Sequence, residues 1–152
     1  MIPRPIVFIL LASLGLLTGC DIADFGDASR FQEDFHQAVP MKAGGRLYVE
    51  TFNGAVDVSG WDRDEADITA TKYASTQNAV EAMKIDVAVS GDSIRVRSIR
   101  PSERWGNMGI RYAIRVPRNT ALERIQTSNG SIDVSNLDAP ARLTTSNGAV
   151  RA

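Results

Sequence analysis

The residues that most often carry catalysis and metal binding are scarce in this chain. Its 152 residues include one histidine, His36, and one cysteine, Cys20. A single histidine makes a Ser-His-Asp arrangement or a histidine-rich metal site hard to build, and one cysteine allows no disulfide within the chain. The sequence also has no phosphate-binding loop, zinc-protease helix or nucleophile elbow. We therefore predict a protein that is not an enzyme and that uses no cofactor or metal.

Long apolar runs are missing as well. The most apolar stretch, residues 6–17, has twelve residues, whereas a membrane-spanning helix needs about 20. With Arg4 before it and Leu-Thr-Gly-Cys after it, this stretch is typical of a signal peptide over residues 1–19. Leu-Thr-Gly-Cys resembles the bacterial lipobox, which implies that Cys20 is lipidated. Residues 20–32 are polar and acidic and are predicted to be a flexible tether, which leaves one domain over 33–152.

A short motif containing Asn-Gly recurs along this domain. It reads TFNGAVDV at 51–58, TSNGSIDV at 127–134 and TSNGAV at 145–150. Glycine accepts positive φ and asparagine bonds locally, so these pairs are predicted to be structural turns. The predicted turn residues are Asn53, Gly54, Asn129, Gly130, Asn147 and Gly148.

Two geometries are compatible with these turns. Asn129 and Asn147 are 18 residues apart, which suits one coil of a β-solenoid and would place them side by side on neighbouring strands. Hairpins at each Asn-Gly would instead separate them by two strand spacings. We favour the solenoid because the same residues recur at the same position of each coil.

Alternating apolar residues predict short strands along most of the domain. The clearest pattern is a hairpin with a two-residue turn at 91–92. Its predicted cross-strand partners are Val89 with Ile94, Val87 with Val96, and Asp86 with Arg97. One short helix is predicted near 75–83. The fold class is therefore predicted to be all-β, a β-solenoid-like or β-helix-like stack of short strands with one short helix.

Charge is balanced overall but unevenly distributed. The 17 basic and 18 acidic residues give no reason to expect nucleic acid as a partner. Residues 20–67 contain eleven acidic and four basic residues, and residues 95–124 contain eight arginines and two glutamates. We expect the outward-facing arginines of the second segment to pair with the acidic segment within the molecule. The alternative is a basic surface that binds anionic lipids or anionic envelope polymers.

The candidate ligand surface consists of Trp105, Arg111 and Arg115. Trp105 lies in a loop with glycines, where its ring can either stack on a sugar or fold back over the sheet edge. Trp61 takes the position of Leu137 when the repeats are aligned, and it is expected in the core or at a corner of the chain.

Several of these features together resemble one bacterial family over roughly 33–152. They are the leader, the lipobox, LYVETFNG at 47–54, IRVP at 114–117 and the TSNGSI repeats. The family is the domain-of-unknown-function family known as "putative adhesin", related to putative autotransporter adhesin head domains. The resemblance implies an envelope-facing β-repeat domain without an assigned activity. Members usually continue through further Asn-Gly repeats, and this chain ends two residues after Val150. We therefore expect a truncated repeat array whose open β edge can pair with another chain.

These features predict a lipid-anchored protein of the bacterial cell envelope, on its periplasmic or extracellular face. Its expected role is non-enzymatic binding, adhesion or scaffolding. The expected partners are the membrane, an envelope glycan, an anionic lipid or an envelope protein, and a second copy through the β edge. One alternative is an accessory or sensor subunit for an envelope protein. A more distant one is a polysaccharide-active β-helix enzyme, which would need two carboxyl groups a set distance apart in a cleft.

Overall fold

A computed structural model describes residues 31–103 and 106–152. Over this part the chain forms eleven β-strands and one α-helix. In order they are β1 (Phe31–Pro40), β2 (Arg46–Thr51), β3 (Val56–Trp61), β4 (Glu65–Ala74), α1 (Gln77–Ala82), β5 (Lys84–Ser90), β6 (Ser93–Ile99), β7 (Met108–Pro117), β8 (Ala121–Asn129), β9 (Ile132–Ser135), β10 (Ala141–Asn147) and β11 (Val150–Arg151). The predicted leader, Cys20, the tether up to residue 30 and Trp105 lie outside the described residues.

The strands form two mixed sheets that share one hydrophobic core. One sheet has six strands in the order β1-β4-β7-β3-β9-β11, and the other has five in the order β10-β8-β2-β6-β5. Three pairs of neighbouring strands are antiparallel, namely β1 with β4, β4 with β7 and β5 with β6. The other neighbouring pairs are parallel. The all-β prediction is confirmed. The prediction of a β-solenoid is wrong, because antiparallel strands at one end of each sheet replace a uniform stack of coils.

The core lies between the two sheets because alternate residues of each strand point inward. Val49 and Val96 of the five-stranded sheet and Val58 of the six-stranded sheet are fully buried, and Ile114 is 1% exposed. Burying one such side chain contributes roughly 1.5–3 kcal/mol to folding. The remaining alternate positions form two polar outer faces, one on each sheet.

The Asn-Gly motifs are the corners at which the chain passes from one sheet to the other. They join β2 to β3, β8 to β9 and β10 to β11, so each leads from the five-stranded to the six-stranded sheet. Asn147 is the parallel partner of Asn129, and its Nδ2 donates to Asn129 Oδ1 at 2.9 Å. The two asparagines are therefore adjacent, as the repeat predicts. Asn53 Nδ2 instead donates to the carbonyl oxygen of Met108 at 2.8 Å.

The locally encoded elements form where the sequence predicts them. The hairpin of β5 and β6 has the predicted register, and Asp86 lies opposite Arg97. Helix α1 begins after Thr76, whose side chain accepts a hydrogen bond from the backbone N–H of Ala79. This helix, the one within the described residues, is too short to cross a membrane.

Candidate binding surfaces

The outer face of the six-stranded sheet is organised around a nearly buried carboxylate. Asp67 on β4 has a side chain only 9% exposed, and Arg115 lies opposite it on β7. Arg115 donates to Asp67 Oδ2 from Nη2 at 2.7 Å and from Nε at 3.2 Å. His36 on β1 contacts Asp67 Oδ1 through Nε2 at 2.5 Å. The hydrogen bonds from Arg115 and then His36 lower the pKa of Asp67 below its ordinary value.

Trp61 ends β3 beside this carboxylate, on the same outer face. The guanidinium carbons of Arg115 and Arg63 lie 4.5 Å and 4.9 Å from the centre of its ring. Its indole nitrogen donates to the carbonyl oxygen of Glu65 at 2.7 Å, which fixes the ring at the turn into β4. Trp61 is therefore a half-buried surface residue at a corner of the chain and not a core residue.

Of the predicted ligand surface, the structure describes the two arginines. Arg111 and Arg115 lie on β7 with side chains on one outer face, because they are four residues apart on a strand. Arg111 lies over the ring of Tyr73, 4.8 Å from its centre. Burial raises the pKa of Tyr73, although the positive charge of Arg111 opposes this effect. Both arginines are thus already in contact with residues of the neighbouring strands.

The outer face of the five-stranded sheet carries a second arrangement, the arginine-lined groove. Its floor is formed by alternate residues of β2 and the residue directly after this strand, and arginines of β6, β8 and the segment after β6 flank them. The groove residues are Tyr48, Glu50 and Phe52 on the floor and Arg95, Arg97, Arg100 and Arg124 on the walls. Arg95 lies over the Tyr48 ring at 5.1 Å, and Arg100 lies over the Phe52 ring at 5.7 Å.

The groove has a carboxylate at its centre. Arg97 Nε lies 3.8 Å from Glu50 Oε2, and Arg124 Nε lies 3.6 Å from Glu50 Oε1. Arg124 also donates to Gln126 Oε1 from Nε at 2.9 Å and from Nη2 at 2.6 Å. Two guanidinium groups therefore share one carboxylate.

The ion pairs explain the uneven distribution of charge along the sequence. Carboxylates of the acidic segment pair with arginines of the basic segment: Asp67 with Arg115, and Asp62 with Arg118 at 2.9 Å. The expected intramolecular pairing is confirmed for these residues. Arg97, however, makes its ion pair with Glu50 rather than with Asp86, its predicted partner on β5.

The sequence did not single out the groove, because its two walls come from distant segments. Arg95 and Arg97 alternate with buried residues, so their outward direction is predictable. Arg124 reaches the groove through an irregularity in the pairing of β8 with β2. Leu122 and Ile125 are both buried although they are three residues apart and not two. This spacing is the one sequence signal of the irregularity. Within the described residues, no group of three or more His, Cys, Asp or Glu side chains is arranged to hold a metal ion.

Comparison with known proteins gives similarities of fold only. No protein-family model matches the chain, and no curated protein matches it significantly. Among solved structures it is similar to "a putative cell adhesion protein" from Clostridium sporogenes, with a TM-score of 0.46 and 13% identity over 78% of this chain and 59% of that one. It is also similar to "a putative adhesin" from Bacteroides fragilis, with a TM-score of 0.41 and 17% identity over 78% of this chain and 61% of that one. The chain thus spans less than two thirds of either structure.

Proposed function

We propose that this protein is a non-enzymatic binding domain of the bacterial cell envelope with an adhesion or scaffolding role. In this proposal a lipid on Cys20 anchors the protein to the membrane, and the two sheets present their outer faces to envelope components. The sequence of the leader and the lipobox supports the location. The binding role rests on the surfaces of the domain.

The observation that carries the binding role is the number of guanidinium–aromatic contacts on the outer faces. Within the described residues, five arginines lie over aromatic rings, with guanidinium carbons 4.5 Å to 5.7 Å from the ring centres. A contact of this kind attracts by roughly 0.5–1 kcal/mol at an exposed site. Arginine and aromatic side chains are also the types that dominate binding energy at interfaces. Strands of a packed sheet hold these groups in fixed positions, which reduces the entropy lost on binding.

The location is tested by expressing the full chain in a bacterium supplied with a labelled fatty acid. We expect the label on the protein and the protein in the envelope fraction. The Cys20→Ala variant should carry no label and should be released by a salt wash. Equal labelling or equal membrane retention of the two proteins would contradict lipid anchoring.

The binding role is tested by immobilising the full chain and passing envelope extract over it. Three variants are compared with the wild type. Trp61→Ala removes two guanidinium–aromatic contacts, and Arg111→Ala removes one. The third is the double variant Arg95→Gln with Arg124→Gln, which removes the contact with Tyr48 and a second arginine of the groove. We expect the amount of retained envelope material (glycan, lipid or protein) to decrease with at least one of these variants. Unchanged retention by all three would show that the arginine–aromatic surfaces are not the binding site.

A further inference from the structure

The arginine-lined groove has the layout of a site for an extended ligand. Tyr48 and Glu50 lie at alternate positions of β2, Phe52 follows directly after the strand, and all three are half-buried. The arginines on either side are exposed, with side-chain exposures of 54% for both Arg97 and Arg124. Phe52 is four residues after Tyr48, so the floor is about 13 Å long. A ligand that follows β2 would therefore contact the three floor residues in turn.

The guanidinium groups retain capacity to bind an acid. The distances of 3.6 Å and 3.8 Å to Glu50 exceed the roughly 2.7–2.9 Å of a charge-assisted hydrogen bond. Glu50 therefore attracts Arg97 and Arg124 without accepting a hydrogen bond from either guanidinium. Arg124 already donates from Nε and Nη2 to Gln126, so the donors it keeps for a ligand are those of Nη1 and the second hydrogen of Nη2. A ligand carboxylate can accept a bidentate pair of hydrogen bonds from such a group.

A hollow lies over the end of the groove nearest Phe52. Its volume is roughly 260 Å³, and its walls include Glu50, Phe52, Arg97, Arg124 and Ser128. Pockets for drug-sized ligands usually measure roughly 300–1,000 Å³. The hollow therefore has room for one ring of a larger molecule, whose remaining parts would continue along β2 towards Tyr48.

The central carboxylate determines which anionic ligand fits. Glu50 repels a dense row of negative charges such as a polyphosphate, but its oxygens can accept hydrogen bonds from hydroxyl groups. The rings of Tyr48 and Phe52 offer apolar area to the faces of sugar rings once the exposed side chains of Arg95 and Arg100, which lie over them, move aside. A ligand that suits all of these groups alternates single carboxylates with hydroxyls and ring faces.

The geometry points to an acidic oligosaccharide, built from uronic-acid sugars, as the ligand of the arginine-lined groove. Its carboxylates bind Arg97 and Arg124, its hydroxyls bind Glu50, and its ring faces pack on Tyr48 and Phe52. This inference rests on the proposed binding function and names the class of ligand for one of the two outer faces.

The test uses the full chain in a neutral detergent, titrated with an oligogalacturonate of four sugars. Two matched probes are its carboxyl-reduced counterpart and inorganic tetraphosphate. We expect the oligogalacturonate to bind about ten- to hundredfold more tightly than the neutral sugar, because each charged hydrogen bond contributes about 1.5–3 kcal/mol. Stronger binding of tetraphosphate, or equal binding of the neutral sugar, would overturn the assignment.

Variants locate the site. Arg124→Gln should weaken oligogalacturonate binding about tenfold or more, whereas Arg118→Gln, which removes a comparably exposed arginine outside the groove, should leave it unchanged. Glu50→Gln should reduce the preference for oligogalacturonate over tetraphosphate, because it removes the repelling charge. An unchanged affinity in Arg124→Gln would place the ligand elsewhere. If the full chain retains envelope material that oligogalacturonate does not displace, the proposed function stands and this ligand class is wrong.

Discussion

The hydroxyl of Thr127 donates a hydrogen bond of 3.0 Å to the carbonyl oxygen of Gly54, which lies 73 residues earlier in the chain. The next repeat makes the same contact, because Thr145 donates to the carbonyl oxygen of Gly130 at 3.0 Å. The threonine of one corner therefore satisfies the glycine carbonyl of the corner beside it. This relation explains why threonine, asparagine and glycine recur together at a fixed spacing.

Removing the Thr127 hydroxyl should destabilise the fold. Thr127 is 1% exposed, so Thr127→Val would leave the Gly54 carbonyl without this donor in a site that water reaches poorly. We expect a decrease of about 1–3 kcal/mol in the free energy of unfolding, measured by urea titration. Thr145→Val is the matched control, since Thr145 is only half-buried and water can replace its hydroxyl. Equal losses in the two variants would argue against burial as the cause.

The corner glycines are required for two reasons: their backbone conformation, and the lack of space for a side chain beside the neighbouring corner. Gly130 has φ of +149°, and a Cβ atom there would lie 2.2 Å from the Gly54 carbonyl oxygen. Because that oxygen belongs to backbone held in a sheet, Gly130→Ala should lower the free energy of unfolding by roughly 3 kcal/mol or more. Gly91→Ala is the control: Gly91 has φ of +58°, but a Cβ atom there meets nothing within 4 Å.

We expect Gly91→Ala to cost only about 1–2 kcal/mol, the strain of a left-handed residue. Urea unfolding of both variants provides the comparison. If Gly130→Ala were no more destabilising than Gly91→Ala, close packing between the corners would not be the reason that glycine recurs in the Asn-Gly motif.

The sequence predicts local structure here better than the arrangement of the sheets. The register of the β5–β6 hairpin follows from alternation and one two-residue turn, and the adjacency of Asn129 and Asn147 follows from the repeat. The segments that form the antiparallel pairs of β4 with β1 and with β7 do not contain the repeat, so the repeat alone wrongly suggests a uniform solenoid. The binding surfaces depend on the same long-range pairing: Asp67 meets Arg115, and Glu50 meets Arg124, only after the sheets have formed.

The Asp67 cluster should make stability depend on acid pH. Its lowered pKa means that the folded state favours the charged carboxylate. The stabilisation that results is fully present above the ordinary aspartate pKa of about 3.9 and is lost as pH falls through the folded pKa. Urea unfolding between pH 6 and pH 2 should therefore show a steeper loss of stability in the wild type than in Asp67→Asn. The control is Asp57→Asn, which changes an exposed aspartate of β3 on the same outer face of the sheet. Its loss of stability with falling pH should follow that of the wild type. Parallel curves for the wild type and Asp67→Asn would contradict the assigned role.

Tyr112 should give the opposite dependence at alkaline pH. Burial raises its pKa to about 12, although a hydrogen bond with Ser98 opposes the shift. The two oxygens are 2.7 Å apart, a distance at which either hydroxyl can donate, and Ser98 also donates to Thr51 at 2.9 Å. Since the folded pKa lies above the ordinary value of about 10, the neutral phenol stabilises the fold fully below pH 10, and this contribution is lost as pH rises through about 12.

The Tyr112→Phe variant isolates this effect from the other groups that titrate at alkaline pH. At pH 8 the variant should be less stable than the wild type by about 0.5–1.5 kcal/mol, because one hydrogen bond is missing. Towards pH 12 the wild type should lose up to about 3 kcal/mol that the variant keeps, so the difference should shrink and then reverse. Urea unfolding at pH 8, 10, 11 and 12 measures it, with the half-buried Tyr48 changed to phenylalanine as the control. A difference between Tyr112→Phe and the wild type that stays constant over this range would show that the pKa of Tyr112 is the same in the folded and the unfolded chain, which would contradict the raised value.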